Sequence, residues 1–363
     1  MSAERVMQSE YMHWAKTCSG AKYNLALSDL EHYPLSEIPI RLADLPITGP
    51  GSYGYQPLLE AIGRTYDVPT NSIVTSFGTS MANHIAIASI IEPGDEVLIE
   101  HPTYELILST AQYLGANVRR FHRRFENNFQ IDTDKLRTSM TSRTKLIVLT
   151  NLHNPSSAFT DEATLKRIGE IAANIGAIVL VDEVYLDGAF SKNPRSSFHL
   201  GEQFVITNSL TKVYGLSGLR CGWILAEPTL ARNMWRLIDL FYGSSVHIAE
   251  QISVAVFSDR KKILGRAQSL LTRNTELVRT LFASRSDIAA IPHEHGLITF
   301  PKVTSGNAEK LCTMLREKYE TSIVPGKFFD MPQHIRIGIG RETSTVKTGL
   351  KNICAALDEM ACA

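Results

Sequence analysis

Fourteen residues, Ser209-Leu-Thr-Lys212-Val-Tyr-Gly215-Leu-Ser-Gly218-Leu-Arg220-Cys-Gly222, bring an amine, a guanidinium, hydroxyls and three glycines together directly after a predicted strand. The glycines permit tight turns and close backbone approach. Serine, arginine and free backbone N–H groups are the donors a phosphate monoester needs. A lysine amine condenses with an aldehyde to a Schiff base, provided desolvation and cationic neighbours keep it unprotonated. A lone lysine is as readily a solvated surface residue. An aldehyde acceptor beside a phosphate seat, however, specifies pyridoxal 5′-phosphate (PLP).

That cofactor demands further groups, and the sequence supplies them at strand C-terminal ends, where α/β sheets place ligands. Asp182, in Val181-Asp-Glu-Val-Tyr185, suits a pyridinium nitrogen, and Tyr185 suits a phenolate oxygen. Gly78-Thr79-Ser80 opens a helix-like stretch, Met81 to Ile90, whose N-terminus favours phosphate. Asn154 is a second donor to the phenolate oxygen, and Tyr104 is placed to stack on the pyridine face. Arg336 lies within an apolar strand, where an unpaired charge is costly, so a substrate carboxylate is a natural partner. Singly, each has a plainer use: a cap for Asp182 and Gly78-Thr79-Ser80, a turn for Asn154-Pro155, a core plug for Tyr104, a structural ion pair for Arg336. Their joint placement argues for a site.

In chain order, Tyr53-Gly54, Gly78-Thr79-Ser80, Pro102-x-Tyr104, Asn154-Pro155, Asp182-x-x-Tyr185, Ser209-x-x-Lys212, Arg220 and Arg336 resemble the class I/II aminotransferases of the fold-type I PLP-dependent superfamily. The likeness runs from about residue 24 onward and includes Pro325-Gly-Lys-Phe328. It implies a homodimer with shared active sites, in which Tyr53 of one subunit, or alternatively Tyr55, reaches the phosphate held by the other. It also implies ping-pong exchange of an amino group between an L-amino acid and a 2-oxo acid. Lys212 would form the Schiff base and carry the proton between Cα and the cofactor's C4′, and Arg336 would hold the α-carboxylate. Two positions depart from the pattern. Asn-Pro-Thr-Gly reads Asn154-Pro-Ser-Ser157, and Ser28 stands where a glycine often lies near the substrate carboxylate. The same constellation serves PLP lyases, decarboxylases and cyclases, which differ in the bond aligned with the electron sink. A PLP-responsive DNA-binding regulator would need a basic domain ahead of the match, and the residues preceding it are not strongly basic.

The elements that must position these groups alternate as βαβ units, predicting an α/β fold with a mainly parallel, seven-stranded sheet. The predicted strands are Ile73–Ser76, Glu96–Glu100, Asn117–Phe121, Lys145–Thr150, Ala177–Val181, Phe204–Asn208 and Gly222–Ala226. Between Lys212 and Gly222 there is no room for a helical crossover, so the last strand is expected to run antiparallel. A helix is predicted over Asp161 to Ile175, stopped by Gly176, and a long one over Arg260 to Ala283. Short strands follow near Gly296–Phe300 and His334–Gly338 in a smaller α+β unit. The expected division is an arm over 1–45, helix-like around Glu10–Lys16 and draped over another surface to cover the site. A large PLP domain over 46–250 and a small domain over 251–363 complete it. Trp14, Tyr23, His32 and Tyr33 in the arm are candidates for a side-chain pocket, with packing the plainer job for each.

The 363 residues are 44% hydrophobic and 20% charged, which excludes disorder and fibrous repeats. The 37 basic residues balance 37 acidic ones, so no global charge draws the chain to nucleic acid or membrane. The N-terminus carries Glu4, Arg5 and Glu10 rather than an apolar signal stretch. Five scattered cysteines without a C-x-x-C pair argue against a metal site and for a reduced, cytoplasmic setting.

Overall fold

The computed structural model describes residues 6–292 and 294–362; Glu4 and Arg5 lie outside the described residues. Seven strands form the central sheet: β1 (Ile73–Phe77), β2 (Glu96–His101), β3 (Asn117–His122), β4 (Thr144–Thr150), β5 (Ile178–Asp182), β6 (Phe204–Ser209) and β7 (Cys221–Leu225). Their order is β1-β7-β6-β5-β4-β2-β3. Central strands such as β4, β5 and β6 are buried on both faces, which is why they read as near-continuous Val, Ile and Leu runs. As expected, β7 is antiparallel to both neighbours. The connection from β6 to β7 therefore turns back at one edge of the sheet and leaves Lys212 and Arg220 there.

The return is close. Phe77, the last residue of β1, pairs with Cys221, the first of β7. A Cβ on Gly222 would lie 2.5 Å from the Gly78 carbonyl carbon, so only glycine allows the two turns to meet. Helix Glu162–Ala173 covers the sheet from a cap at Asp161.

The smaller unit centres on strand Ile335–Gly338, flanked antiparallel by Ile298–Thr299 and Val324–Pro325. Helices Arg260–Ala283, Ala308–Tyr319 and Thr343–Ala361 pack around it. The expected boundary at residue 250 falls inside helix His247–Ser258, which packs on helix Gln56–Tyr66. The arm needs a correction. It does not merely drape over a surface, because Leu25, Leu30, Tyr33 and Ile38 are buried in the main core. Tyr23–Asn24 also pairs in parallel with Thr321–Ser322. Apolar residues between the prolines and polar positions pull the segment inward.

Beneath the site runs a buried ion pair. Arg123 Nη1 donates to Glu100 Oε2 at 2.9 Å, with both side chains excluded from solvent. Glu100 Oε1 accepts from Thr150 N at 2.8 Å and Thr150 Oγ1 at 2.6 Å, and Thr150 Oγ1 accepts from Asn154 N at 2.9 Å. The pair thus sets the loop that presents Asn154. Removing one partner leaves the other charge buried and uncompensated. Glu100→Gln is expected to lose about 3–5 kcal/mol of stability in denaturant unfolding, and the double change Glu100→Leu with Arg123→Met to lose less. Equal losses would show that the charges are not what matters there.

Candidate active site

At the edge where β1, β5 and β6 end, helix α2 (Gly78–Ile90) begins with Gly78 at φ +73°. Arg220 Nη2 donates to Phe77 O at 3.1 Å, and a Cβ on residue 78 would sit 2.5 Å from that nitrogen. Gly78 therefore leaves the guanidinium room beside the helix N-terminus. Thr79 Oγ1 donates to Ser209 Oγ at 2.7 Å, joining the helix start to the end of β6. Thr79, Ser80 and Arg220 line one cleft of about 250 Å³ together with Asn83, Tyr104, Asn154, Asp182, Tyr185 and Lys212. Helix N–H groups, hydroxyls and a guanidinium make a phosphate seat.

Asp182 ends β5 with its carboxylate buried. Asn83 Nδ2 donates to Oδ2 at 2.8 Å and Val184 N to Oδ1 at 3.0 Å, while Thr207 Oγ1 holds Asn83 Oδ1 at 2.6 Å. Burial pushes the Asp182 carboxyl up to about 6, against those hydrogen bonds and the charge of Lys212. Desolvation lowers the Lys212 ammonium from its ordinary value, with Asp29, Tyr11 and Asp182 opposing it and Arg336 adding to it. An amine shifted toward its neutral form thus lines one cleft with a carboxylate that lacks a hydrogen-bonded cation. Lys212 Nζ donates to Ser28 Oγ at 2.9 Å and lies 6.0 Å from the Tyr185 ring centre. Burial raises the Tyr185 phenol against the nearby Ser28 hydroxyl, and the phenol oxygen makes no hydrogen bond of ordinary geometry.

Arg336 is fully buried. Nη1 donates to Asn154 Oδ1 at 3.2 Å, and Nη2 donates to Tyr11 Oη at 2.6 Å and Ala26 O at 3.2 Å, while Nε has no partner. Its guanidinium lies over the rings of Tyr11 and Phe329. Tyr11 comes from helix α1 (Glu10–Thr17) and packs edge-on against Tyr104. Of the arm candidates, Trp14 lines the cleft. Tyr33 is buried in the core under Arg266, His32 is exposed, and Tyr23 sits beneath Lys22.

Sequence reasoning missed Tyr11 and Asn83. Asn83 stands four residues after Thr79, on the same helix face, which was a usable signal. Tyr11 is remote from Arg336 in sequence, and no local pattern announces their bond. Tyr53, exposed, donates its hydroxyl to Asp239 at 2.8 Å outside the cleft, and Tyr55 packs edge-on against His247. Among the described residues, no group of three or more His, Cys, Asp or Glu is arranged to hold a metal ion.

The groups present fit pyridoxal 5′-phosphate. A buried carboxylate without a cationic partner suits a protonated ring nitrogen, an orphaned phenol suits a ring oxygen, and the glycine-cleared seat suits a phosphate.

The family model for aminotransferase class I and II matches residues 50–353. Capreomycidine synthase of Streptomyces vinaceus is 28% identical over 350 residues, covering 93% of this chain and 90% of its own. Arginine–pyruvate transaminase of Pseudomonas aeruginosa is 24% identical over 299 residues, covering 80% and 76%. A solved PLP-dependent aminotransferase from Streptococcus suis superposes with a TM-score of 0.90 at 25% identity, covering 96% of this chain and 97% of that one.

Asp182 makes a pH signature. Because its folded value lies above its unfolded one, its contribution to stability is full below pH 4 and is lost as pH rises through about 6. In the cofactor-free protein, Asp182→Asn is expected to gain about 3 kcal/mol on the parent between pH 4 and 7, read from denaturant unfolding at each pH. A pH-independent difference would remove the buried-carboxylate account.

Proposed function

The chain belongs to the aminotransferase class I and II family, and from that premise we propose that it moves an amino group between an L-amino acid and a 2-oxo acid by a ping-pong mechanism. Lys212 is the proposed Schiff-base lysine and proton shuttle. The observation that carries this reading is a half-buried, desolvated amine and a buried, cation-free carboxylate lining one cleft with the phosphate-seat residues Thr79, Ser80 and Arg220. When bound, PLP supplies the aldehyde and the electron sink for charge developing at the substrate's Cα. Asp182, oriented by Asn83, would hold the ring nitrogen protonated. Tyr185 and Asn154 would donate to the ring oxygen, and Tyr104 would pack on the ring face. Backbone N–H groups of Gly78, Thr79 and Ser80 and the hydroxyls of Thr79 and Ser80 would hold the phosphate with Ser209 and Arg220. Arg336 binds the α-carboxylate, displacing the Tyr11 hydroxyl or using its free Nε, and so turns the Cα–H bond toward Lys212 Nζ, which takes the proton.

Tyr11, Met12, Trp14, Ala15 and Leu27 also line the cleft, whose lining cations are Lys212 and Arg220. That supports a substrate with one carboxylate. A second reading, ring closure on an amino acid, is favoured by the likeness to capreomycidine synthase over 93% of the chain.

The proposal includes a homodimer. Ile47, Tyr53, Leu240, Phe241 and Val246 expose apolar surface on segments that border a cleft of about 330 Å³. Tyr53 is carried as the residue that reaches the partner's phosphate. A cytoplasmic setting is supported by five free cysteines, and among the described residues no helix is long and apolar enough to cross a membrane.

Two measurements test the reading. Lys212→Ala should abolish exchange of amino groups between amino and oxo acids, and near-normal turnover would sink it. In single half-reactions followed by absorbance, monocarboxylic amino acids should convert the cofactor to its aminated form at least about tenfold faster than aspartate or glutamate. Product formation without that conversion would favour ring closure or elimination instead.

A further inference from the structure

We propose that the Ser28 hydroxyl is the seat of the Lys212 amine whenever that amine is not bonded to the cofactor, and that it acts as a positioning residue by holding the amine aimed at the substrate's Cα. The inference rests on the reading of Lys212 as the proton-moving lysine.

The seat is built. Lys212 Nζ donates to Ser28 Oγ at 2.9 Å, and Ser28 is 8% exposed. The strap bearing Ser28 is tied to the lysine a second time, because Leu30 N donates to Lys212 O at 2.9 Å. It is anchored on both sides. Gly338 N donates to Leu25 O at 2.7 Å, and Arg341 Nη2 donates to both Asp29 O and Asp29 Oδ1 at 2.6 Å. Lysine and serine thus belong to one braced unit, joined through backbone and side chain, and the strand that carries Arg336 supports it.

The chemistry requires a hydroxyl there. An amine that donates one N–H to a neutral oxygen is oriented and keeps its lone pair free for a proton. A carboxylate in that place would favour the ammonium, which cannot take the α-proton. An apolar side chain would leave a long, flexible amine without a fixed direction. The other groups acting on the amine are Asp29, Asp182, Tyr11 and Arg336, and Tyr185 is a further polar neighbour of Ser28. The departure from glycine at position 28 therefore adds a proton-handling contact.

The test reads the amine directly. In cofactor-free protein, Lys212 is labelled with acetic anhydride across a pH series and quantified by peptide mass spectrometry. Ser28→Ala and Ser28→Gly should lower its apparent pKa by about one unit, and Ser28→Asp should raise it by about one unit or more. Ser28→Thr should keep it near the parent value. With PLP restored, Ser28→Ala should lose about tenfold or more in kcat with KM little changed, and Ser28→Thr should recover most of it. Identical titration of Lys212 in parent and Ser28→Ala overturns the proposal, as does a loss confined to KM. Borohydride fixation of PLP separates the two levels. Failure to attach cofactor at Lys212 in the parent overturns the functional reading, whereas normal attachment with an unmoved titration overturns the role of Ser28 alone.

Discussion

Everything at this site depends on burying Asp182, half-burying Lys212, and leaving the two without a mutual ion pair. Burial raises one and lowers the other, so the carboxyl and the ammonium are both drawn toward the neutral range. Had the two paired directly, each would have been locked in its charged form. Asn83 and the Val184 N–H turn the carboxylate one way, and Ser28 takes the amine another. The space between is reserved for a group that is cationic at one end and electrophilic at the other.

That arrangement follows from topology. A parallel sheet collects its strand C-termini on one edge. The antiparallel β7 then brings the Lys212–Arg220 turn back over that edge, onto the start of α2, where glycines at 78 and 222 let backbone and guanidinium approach closely. The smaller unit contributes from the other side. Arg336 sits on its central strand, and the N-terminal segment crosses between the units, delivering Tyr11 to the arginine and Ser28 to the lysine.

The buried Arg123–Glu100 pair shows how a costly feature can serve position. Two charges without solvent contribute little net stability, yet Glu100 binds both the backbone and the hydroxyl of Thr150, and so fixes the turn that carries Asn154. Asn154 in turn holds Arg336. A structural ion pair and the arginine proposed to bind the substrate carboxylate are thereby joined through one threonine and one asparagine.

All seven strands were legible to within a residue at each end: six as apolar runs, because two-sided burial writes itself into composition, while the edge strand β3, NVRRFH, is mostly exposed or half-buried. The short β6 to β7 connection alone implied the antiparallel strand. Lys212, Asp182, Arg220 and Gly78 were legible because strand ends, glycine spacing and residue chemistry are local properties. What tertiary structure decided was everything that depends on distant segments meeting: the bond from Arg336 to Tyr11, the seat of Lys212 on Ser28, and the burial of an arm whose prolines suggested a surface strap. Chain proximity sets local hydrogen bonds and periodicity. Desolvation and cross-chain contact arise only when the folded core brings remote residues together, and those decide how the chemistry is tuned.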